Sequence, residues 1–181
     1  MSAASPRPIL YHCADARSLR CLWAAEEVGL DVDLRVLPFP PRAFAPEYKE
    51  VNPLKTVPGW VEGEMLLTES AAICERIAAG TEFEVRPDEP DYWPYRNWLH
   101  RSDATLTFPL AIMIRYTRVE PRERRLAQAA ADYKAFFGRP GAEHRSGAGG
   151  WARVAVRRAV HDRGRLRRFC GIFGDAGWRG G

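Results

Sequence analysis

The sequence predicts an α/β domain followed by an all-α domain. Over about the first 80 residues, short strand-like segments alternate with segments of helical spacing. From about residue 89 the spacing of apolar residues is helical only. A polar, proline-containing stretch separates the two patterns. A chain of 181 residues is long enough for two small domains. We therefore expect domains at 1–79 and 89–137, with a linker at 80–88.

The first predicted unit is β-α-β. The segment PILYH is a short apolar strand, and the following helix begins at Ser18 and ends at Gly29. Val32, Leu34 and Val36 alternate with polar residues, which predicts a half-buried strand.

The rest of this domain continues as α-β-β-α. A short helix is expected near APEYKEV, then two strands at Val57–Val61 and Met65–Leu67 joined by the turn EGE. The segment ESAAICERIA has helical spacing. The complete predicted order is β-α-β-α-β-β-α.

The second domain is expected to hold two long helices, at 89–116 and 121–137, with Pro121 in the first turn of the second. Residues 138–181 differ from both domains because they contain one leucine, eleven glycines and ten arginines. This tail carries the basic character of a chain whose net charge is +4. We expect it to be disordered.

Several classes of protein are not expected. The longest apolar runs, such as PLAIMI, are far shorter than the roughly 18 residues of a membrane-spanning helix, and MSAASPRP is unlike a secretory signal. Without either feature, we expect a cytoplasmic protein. The four cysteines lack Cys-x-x-Cys spacing, so we expect reduced thiols and no metal.

Two motifs carry a family resemblance. NPLKTVP precedes the predicted strand pair, and Thr-Glu-Ser opens the next helix. In this order of elements they resemble the N-terminal domain of the glutathione S-transferase superfamily, a thioredoxin-like fold followed by a helical domain. The resemblance spans residues 8 to about 137. Taken alone, Thr-Glu-Ser is also an ordinary helix start.

The resemblance implies a glutathione site. It implies that Pro58 is cis, with the Val57 backbone lying along the cysteinyl part of glutathione like an added strand. It implies that Ser70, at a helix N-terminus, binds the γ-glutamyl carboxylate and that Glu69 faces the ammonium group. Lys55 stands where many members have glycine, and its side chain either reaches the glycyl carboxylate or lies in solvent.

The catalytic group is expected where the first strand meets the first helix. The segment there is YHCADARSLRCLW, and Cys13 resembles the omega-class cysteine in position. A catalytic Cys13 implies thiol transfer or reduction through a mixed disulfide. Hydrogen bonding from Ser18 or His12 to the glutathione thiol implies conjugation instead. The sequence leaves both open.

A small apolar electrophile is expected to bind beside the helical domain. Candidate lining residues are Trp98, Phe108, Met113 and Tyr116. Asp103 resembles an acid that reaches glutathione across a family dimer, so the resemblance also implies a homodimer.

The tail departs from the family. Reading the codons of Trp151–Leu166 one base later permits a peptide similar to the family signature WL-x-G…FT-x-AD. We hypothesise a frameshift between about Arg139 and Trp151, which would leave the helical domain incomplete.

Two functions follow. The first is a glutathione-dependent transferase of the detoxification type, with glutathione as co-substrate and no metal. The alternative is a non-catalytic thioredoxin-like binding module or an inactive truncated remnant, in which the arginine-rich tail contacts nucleic acid. Nucleic acid is the less expected partner.

Overall fold

The computed structural model describes residues 7–137. Within this range the chain forms two compact units, residues 7–84 and 85–137. The division falls inside the stretch predicted as a linker. The predictions for residues 138–181, including disorder, nucleic-acid contact and the frameshift, lie outside the described residues.

The N-terminal unit has the predicted order of strands and helices. Its elements are β1 (Ile9–His12), α1 (Ser18–Val28), β2 (Asp33–Val36), α2 (Pro41–Phe44), a 3₁₀ turn (Pro46–Glu50), β3 (Gly59–Glu62), β4 (Met65–Leu67) and α3 (Ser70–Ala78). This is the thioredoxin-like fold. The third strand starts at Gly59, two residues later than predicted, because a proline such as Pro58 has no N–H to offer a strand ladder.

The four strands form one mixed sheet in the order β2-β1-β3-β4. β1 and β2 are parallel, whereas β3 is antiparallel to β1, with Tyr11 opposite Gly59. β4 in turn is antiparallel to β3, with Trp60 opposite Leu67. The ends of β1, β2 and β4 and the beginning of β3 therefore lie at one edge of the sheet, which we call the upper edge.

The core of this unit lies between the sheet and the helices α1 and α3. Its buried members are Leu10, Cys21, Ala25, Trp60, Ile73 and Ile77. Burying a large apolar side chain contributes about 1.5–3 kcal/mol. α1 ends at Gly29, whose φ of +67° allows its N–H to cap the carbonyls of Ala25 and Glu26.

The regular structure of the second unit, within its described part, is helical. Its elements are α4 (Tyr92–Arg101), a π-helical segment (Ser102–Thr107), α5 (Phe108–Ile114), a second π-helical segment (Arg115–Val119), a 3₁₀ turn (Arg122–Arg124) and α6 (residues 127–137). Within residues 7–137, no helix is long and apolar enough to cross a membrane.

The predicted start of the last helix at Pro121 is wrong. Glu120, which precedes this proline, is extended with ψ 144°, as expected because proline disfavours the helical conformation in the preceding residue. The buried Glu120 carboxylate pairs with Arg115 at 2.8 Å and Arg124 at 3.4 Å, and its backbone carbonyl accepts a hydrogen bond from Arg125 Nε at 3.0 Å. These contacts hold the bend, so α6 begins only at residue 127.

The turn before β3 contains a residue in the left-handed region. Lys55 has φ +51°, and its N–H donates to the Asn52 carbonyl at 2.8 Å. A residue with a Cβ loses roughly 1–2 kcal/mol in this conformation, which glycine adopts freely. The backbone thus gives a physical reason for the glycine that the resemblance associates with this position.

We expect Lys55→Gly to stabilise the unit by about 0.5–1 kcal/mol, because relief of the left-handed strain exceeds the entropy that glycine adds to the unfolded chain. Urea unfolding followed by circular dichroism measures the change. The matched control is Leu54→Gly, since Leu54 is exposed and has no positive φ. This variant should be less stable than the parent by a similar amount. Equal destabilisation by both substitutions contradicts the prediction.

Candidate functional site

The upper edge brings together the N-terminal residues expected at the site. The turn after β1 carries Cys13 and leads to Ser18, the segment before β3 carries Val57, and β4 leads directly to Glu69 and Ser70. These residues are distant in sequence, and the sheet register places their segments side by side.

Ser18 is the first residue of α1 and is fully buried, and its hydroxyl is surrounded by local partners. Its Oγ shares a hydrogen bond with His12 Nδ1 at 2.8 Å, accepts the Cys13 N–H at 3.2 Å and donates to the Cys13 carbonyl at 3.4 Å. Burial lowers the pKa of His12 below its usual value, so the imidazole is neutral near pH 7. The network holds the turn that links β1 to α1.

Cys13 is buried beneath the same turn. Its side chain has no exposed surface, and its thiol donates to the Pro38 carbonyl at 3.7 Å. Burial raises the pKa of the Cys13 thiol. Reactive cysteines lie in electropositive, partly exposed surroundings. The environment of Cys13 instead favours a neutral thiol.

The segment before β3 has the geometry that the resemblance implies. The Val57–Pro58 bond is cis, as expected, and Pro58 is buried. Val57 lies just outside the ladder between β1 and β3, which begins at Gly59. Lys55, two residues earlier, is half-buried.

Two buried side chains donate hydrogen bonds to this segment. Tyr48 Oη and Asn52 Nδ2 donate to the same acceptor, the Thr56 carbonyl, at 3.1 Å and 2.9 Å. Burial raises the pKa of Tyr48 to about 12, so its phenol is a neutral donor at physiological pH. Neither residue belongs to the predicted site.

A local signal for Asn52 was nevertheless present in the sequence. Asn-Pro is a frequent start of a turn in which the asparagine side chain accepts a backbone N–H two residues on. Asn52 Oδ1 does accept the Leu54 N–H, at 3.0 Å. No local pattern identifies Tyr48, because its role depends on a contact across a turn.

Ser70 is the first residue of α3 and is 1% exposed. Among the described residues, no group hydrogen-bonds to its buried Oγ. Glu69 precedes it as the N-cap residue, with an extended backbone and an exposed side chain that makes no capping hydrogen bond. An unpaired buried hydroxyl is costly, and it lies at the positive end of a helix. This arrangement suits an anionic ligand group.

The predicted residues of the second unit lie along its helical stretch. Trp98 has the Arg101 guanidinium 5.2 Å from its ring, and Tyr116 has that of Arg115 at 5.7 Å. Phe108 is about half exposed and meets the Tyr133 ring edge-on, at 6.0 Å.

Met113 is half-buried in α5, and Asp103 is half-buried in the first π-helical segment. The residues that contact these rings, Arg101, Arg115 and Tyr133, belong to the same unit.

Comparison with known sequences gives a family match. Residues 16–80 match the family described as glutathione S-transferase, N-terminal domain. Glutathione S-transferase 3 of Schizosaccharomyces pombe is 30% identical over 101 residues, which cover 54% of this chain and 42% of that protein. The aligned part thus spans less than half of the length of that relative.

Solved structures share the fold. A theta class glutathione S-transferase from Xanthomonas axonopodis pv. citri, with glutathione bound, has a TM-score of 0.64 at 22% identity, covering 78% of this chain and 70% of that one. Ure2p5 from Phanerochaete chrysosporium, cocrystallised with 1-(S-glutathionyl)-2,4-dinitrobenzene, has a TM-score of 0.66 at 17% identity, covering 80% and 66%.

We expect iodoacetamide at pH 8 to modify Cys13 at least about tenfold more slowly than the partly exposed Cys74, because Cys13 must become both exposed and ionised to react. Mass spectrometry of the digested protein measures each rate. Fully unfolded protein in urea is the control, in which the two rates should converge. Preferential modification of Cys13 in the folded protein would contradict the assignment of a protected thiol.

Proposed function

We propose that this chain, whose residues 16–80 match the glutathione S-transferase N-terminal domain, is a glutathione-dependent transferase of that superfamily and that its upper edge binds glutathione. The observation that carries the proposal is Ser70, a buried serine at the start of α3 whose Oγ has no hydrogen-bond partner among residues 7–137. The γ-glutamyl carboxylate supplies the missing acceptor, and the positive end of α3 stabilises its charge. A rotation of the side chain about χ1 turns the hydroxyl towards the ligand.

The other parts of glutathione meet the neighbouring segments. The exposed Glu69 carboxylate faces the γ-glutamyl ammonium group, and the Val57 backbone pairs with the cysteinyl residue as an added strand. The half-buried Lys55 reaches towards the glycyl carboxylate. In this pose the thiol points to the turn between β1 and α1.

The reaction supported best is conjugation. The positive end of α1 favours the thiolate of glutathione, whose pKa as a free thiol is about 8.5. Ser18 and His12 shape the turn that receives this thiolate. A mixed disulfide with Cys13 is less well supported, because that thiol is buried and its pKa is raised.

The thiolate then attacks a small apolar electrophile, forming a carbon–sulfur bond as the leaving group departs or a double bond accepts the electron pair. We propose that Trp98, Phe108, Met113 and Tyr116 contribute apolar surface to this substrate. A homodimer in which Asp103 approaches the glutathione of the partner subunit, and a cytoplasmic location, belong to the same proposal.

Titration calorimetry of glutathione into the parent protein and Ser70→Ala tests the function. We expect binding in the parent and an affinity about 10- to 100-fold lower in the variant, since a hydrogen bond to a charged group contributes roughly 1.5–3 kcal/mol. Without ligand, Ser70→Ala should be as stable as the parent or more stable by about 1 kcal/mol, because no hydrogen bond is lost.

Ser18→Ala is the matched control, since Ser18 is also a buried serine that opens a helix. Its hydroxyl is hydrogen-bonded, so its removal should cost about 1–3 kcal/mol of stability. Folded parent protein that does not bind glutathione would contradict the proposed function and favour the non-catalytic module or the inactive remnant.

The role of Glu69 is tested with Glu69→Gln and two ligands, glutathione and N-acetylglutathione. We expect the variant to bind glutathione about two- to fivefold more weakly, because an exposed ion pair contributes at most about 1 kcal/mol. N-acetylglutathione lacks the ammonium group, so it should bind the parent and the variant equally. Equal losses for both ligands would place the ammonium group elsewhere.

A further inference from the structure

We propose that Tyr48 and Asn52 are positioning residues that fix the direction of the Val57 N–H, and so set the affinity of the upper edge for the cysteinyl residue of glutathione. The inference rests on the proposed function. It is carried by two hydrogen bonds that converge on the Thr56 carbonyl. We call these two hydrogen bonds, together with their donors Tyr48 and Asn52, the carbonyl clamp.

The clamp uses both lone-pair directions of one oxygen. Tyr48 Oη donates to the Thr56 carbonyl at 3.1 Å, and Asn52 Nδ2 donates to it at 2.9 Å. Both donors are almost fully buried, with exposures of 2% and 1%. Because both donors are held inside the unit, their two hydrogen bonds fix the carbonyl in one direction, although Thr56 itself is exposed.

The direction of this carbonyl determines that of the Val57 N–H. The Thr56 C=O and the Val57 N–H belong to the same peptide group, which is planar and is not one of the two cis bonds of the described chain. In a trans peptide group the C=O and the N–H point in opposite directions. The clamp therefore turns the Val57 N–H away from Tyr48 and Asn52, leaving it available to a strand-like ligand.

Asn52 also fixes the turn that leads to the clamp. Its Oδ1 accepts the Leu54 N–H at 3.0 Å, and its backbone carbonyl accepts the Lys55 N–H at 2.8 Å. One buried residue thus organises the segment between the 3₁₀ turn and Val57 through its side chain and its backbone. A segment ordered before binding does not lose that conformational entropy when the ligand arrives.

Gly59 allows Tyr48 to reach its acceptor. A Cβ at Gly59 would lie 2.3 Å from Tyr48 Oη, closer than any normal contact. The Tyr48 ring also packs against the Tyr11 ring, with a centroid distance of 5.0 Å. Since Tyr11 pairs with Gly59 in the sheet, the clamp is built on the rigid part of the unit.

The first experiment compares glutathione affinity by calorimetry in Tyr48→Phe and Asn52→Ala. We expect Kd to rise about fivefold in Tyr48→Phe and by more in Asn52→Ala, which loses several hydrogen bonds. Tyr11→Phe removes a hydroxyl that takes no part in the clamp. This control should stay within about twofold of the parent.

The second experiment separates positioning from general support of the fold. Gly59→Ala should lower both stability and affinity, because the new methyl group displaces the Tyr48 hydroxyl. Combining it with Tyr48→Phe removes the clash. Stability should then largely return, whereas affinity should stay about fivefold low because the hydroxyl is still missing.

The possible outcomes are distinct. Parallel recovery of stability and affinity in the double variant would overturn the positioning role. A Kd for Tyr48→Phe within about twofold of the parent would also overturn the positioning role. If Asn52→Ala does not fold, the result for Tyr48→Phe is sufficient by itself. Absence of glutathione binding in the folded parent would overturn the proposed function itself, and the role of the clamp with it.

Discussion

The pairing of β1 with strands on both of its sides is the constraint on which the rest of the N-terminal unit depends. Because β2 is parallel to β1 and β3 is antiparallel to it, three strand ends and one strand beginning meet at the upper edge. The pairing of Tyr11 with Gly59 brings the turn after β1 close to the segment before β3. A shift of one residue in this register would exchange the two faces of β3 and move Trp60 out of the core.

The two buried serines that open α1 and α3 differ in their hydrogen bonding. Ser18 is enclosed by His12 and the Cys13 backbone, so its hydroxyl contributes to the fold. Ser70 lies at an equivalent helix position, and its Oγ has no partner within the described chain. Polar groups without partners are uncommon in protein interiors, so the unpaired Oγ of Ser70 supports the proposal that this residue binds a ligand.

Much of the fold was predictable from the sequence because its signals are local. The strand β2, the glycine that ends α1 and the strand at Met65–Leu67 each depend on neighbouring residues, and each was found. The half-buried face predicted for β2 was wrong, because Leu34 and Val36 are exposed. The burial of Cys13 depends on a segment distant in sequence, and the Tyr48 hydrogen bond depends on a contact across a turn. The start of α6 was missed because the arginine contacts of Glu120 outweigh the helical spacing after Pro121.

The burial of Cys13 also affects how susceptible the protein is to oxidation. Oxidation by peroxide begins at an accessible thiolate and adds oxygen atoms, first reversibly and then irreversibly. A neutral thiol with no exposed surface, packed under the carbonyl of Pro38, offers peroxide neither the charge nor the space that this chemistry needs. We therefore expect peroxide to spare Cys13 while the unit stays folded, whereas an exposed cysteine at the same place would need repair.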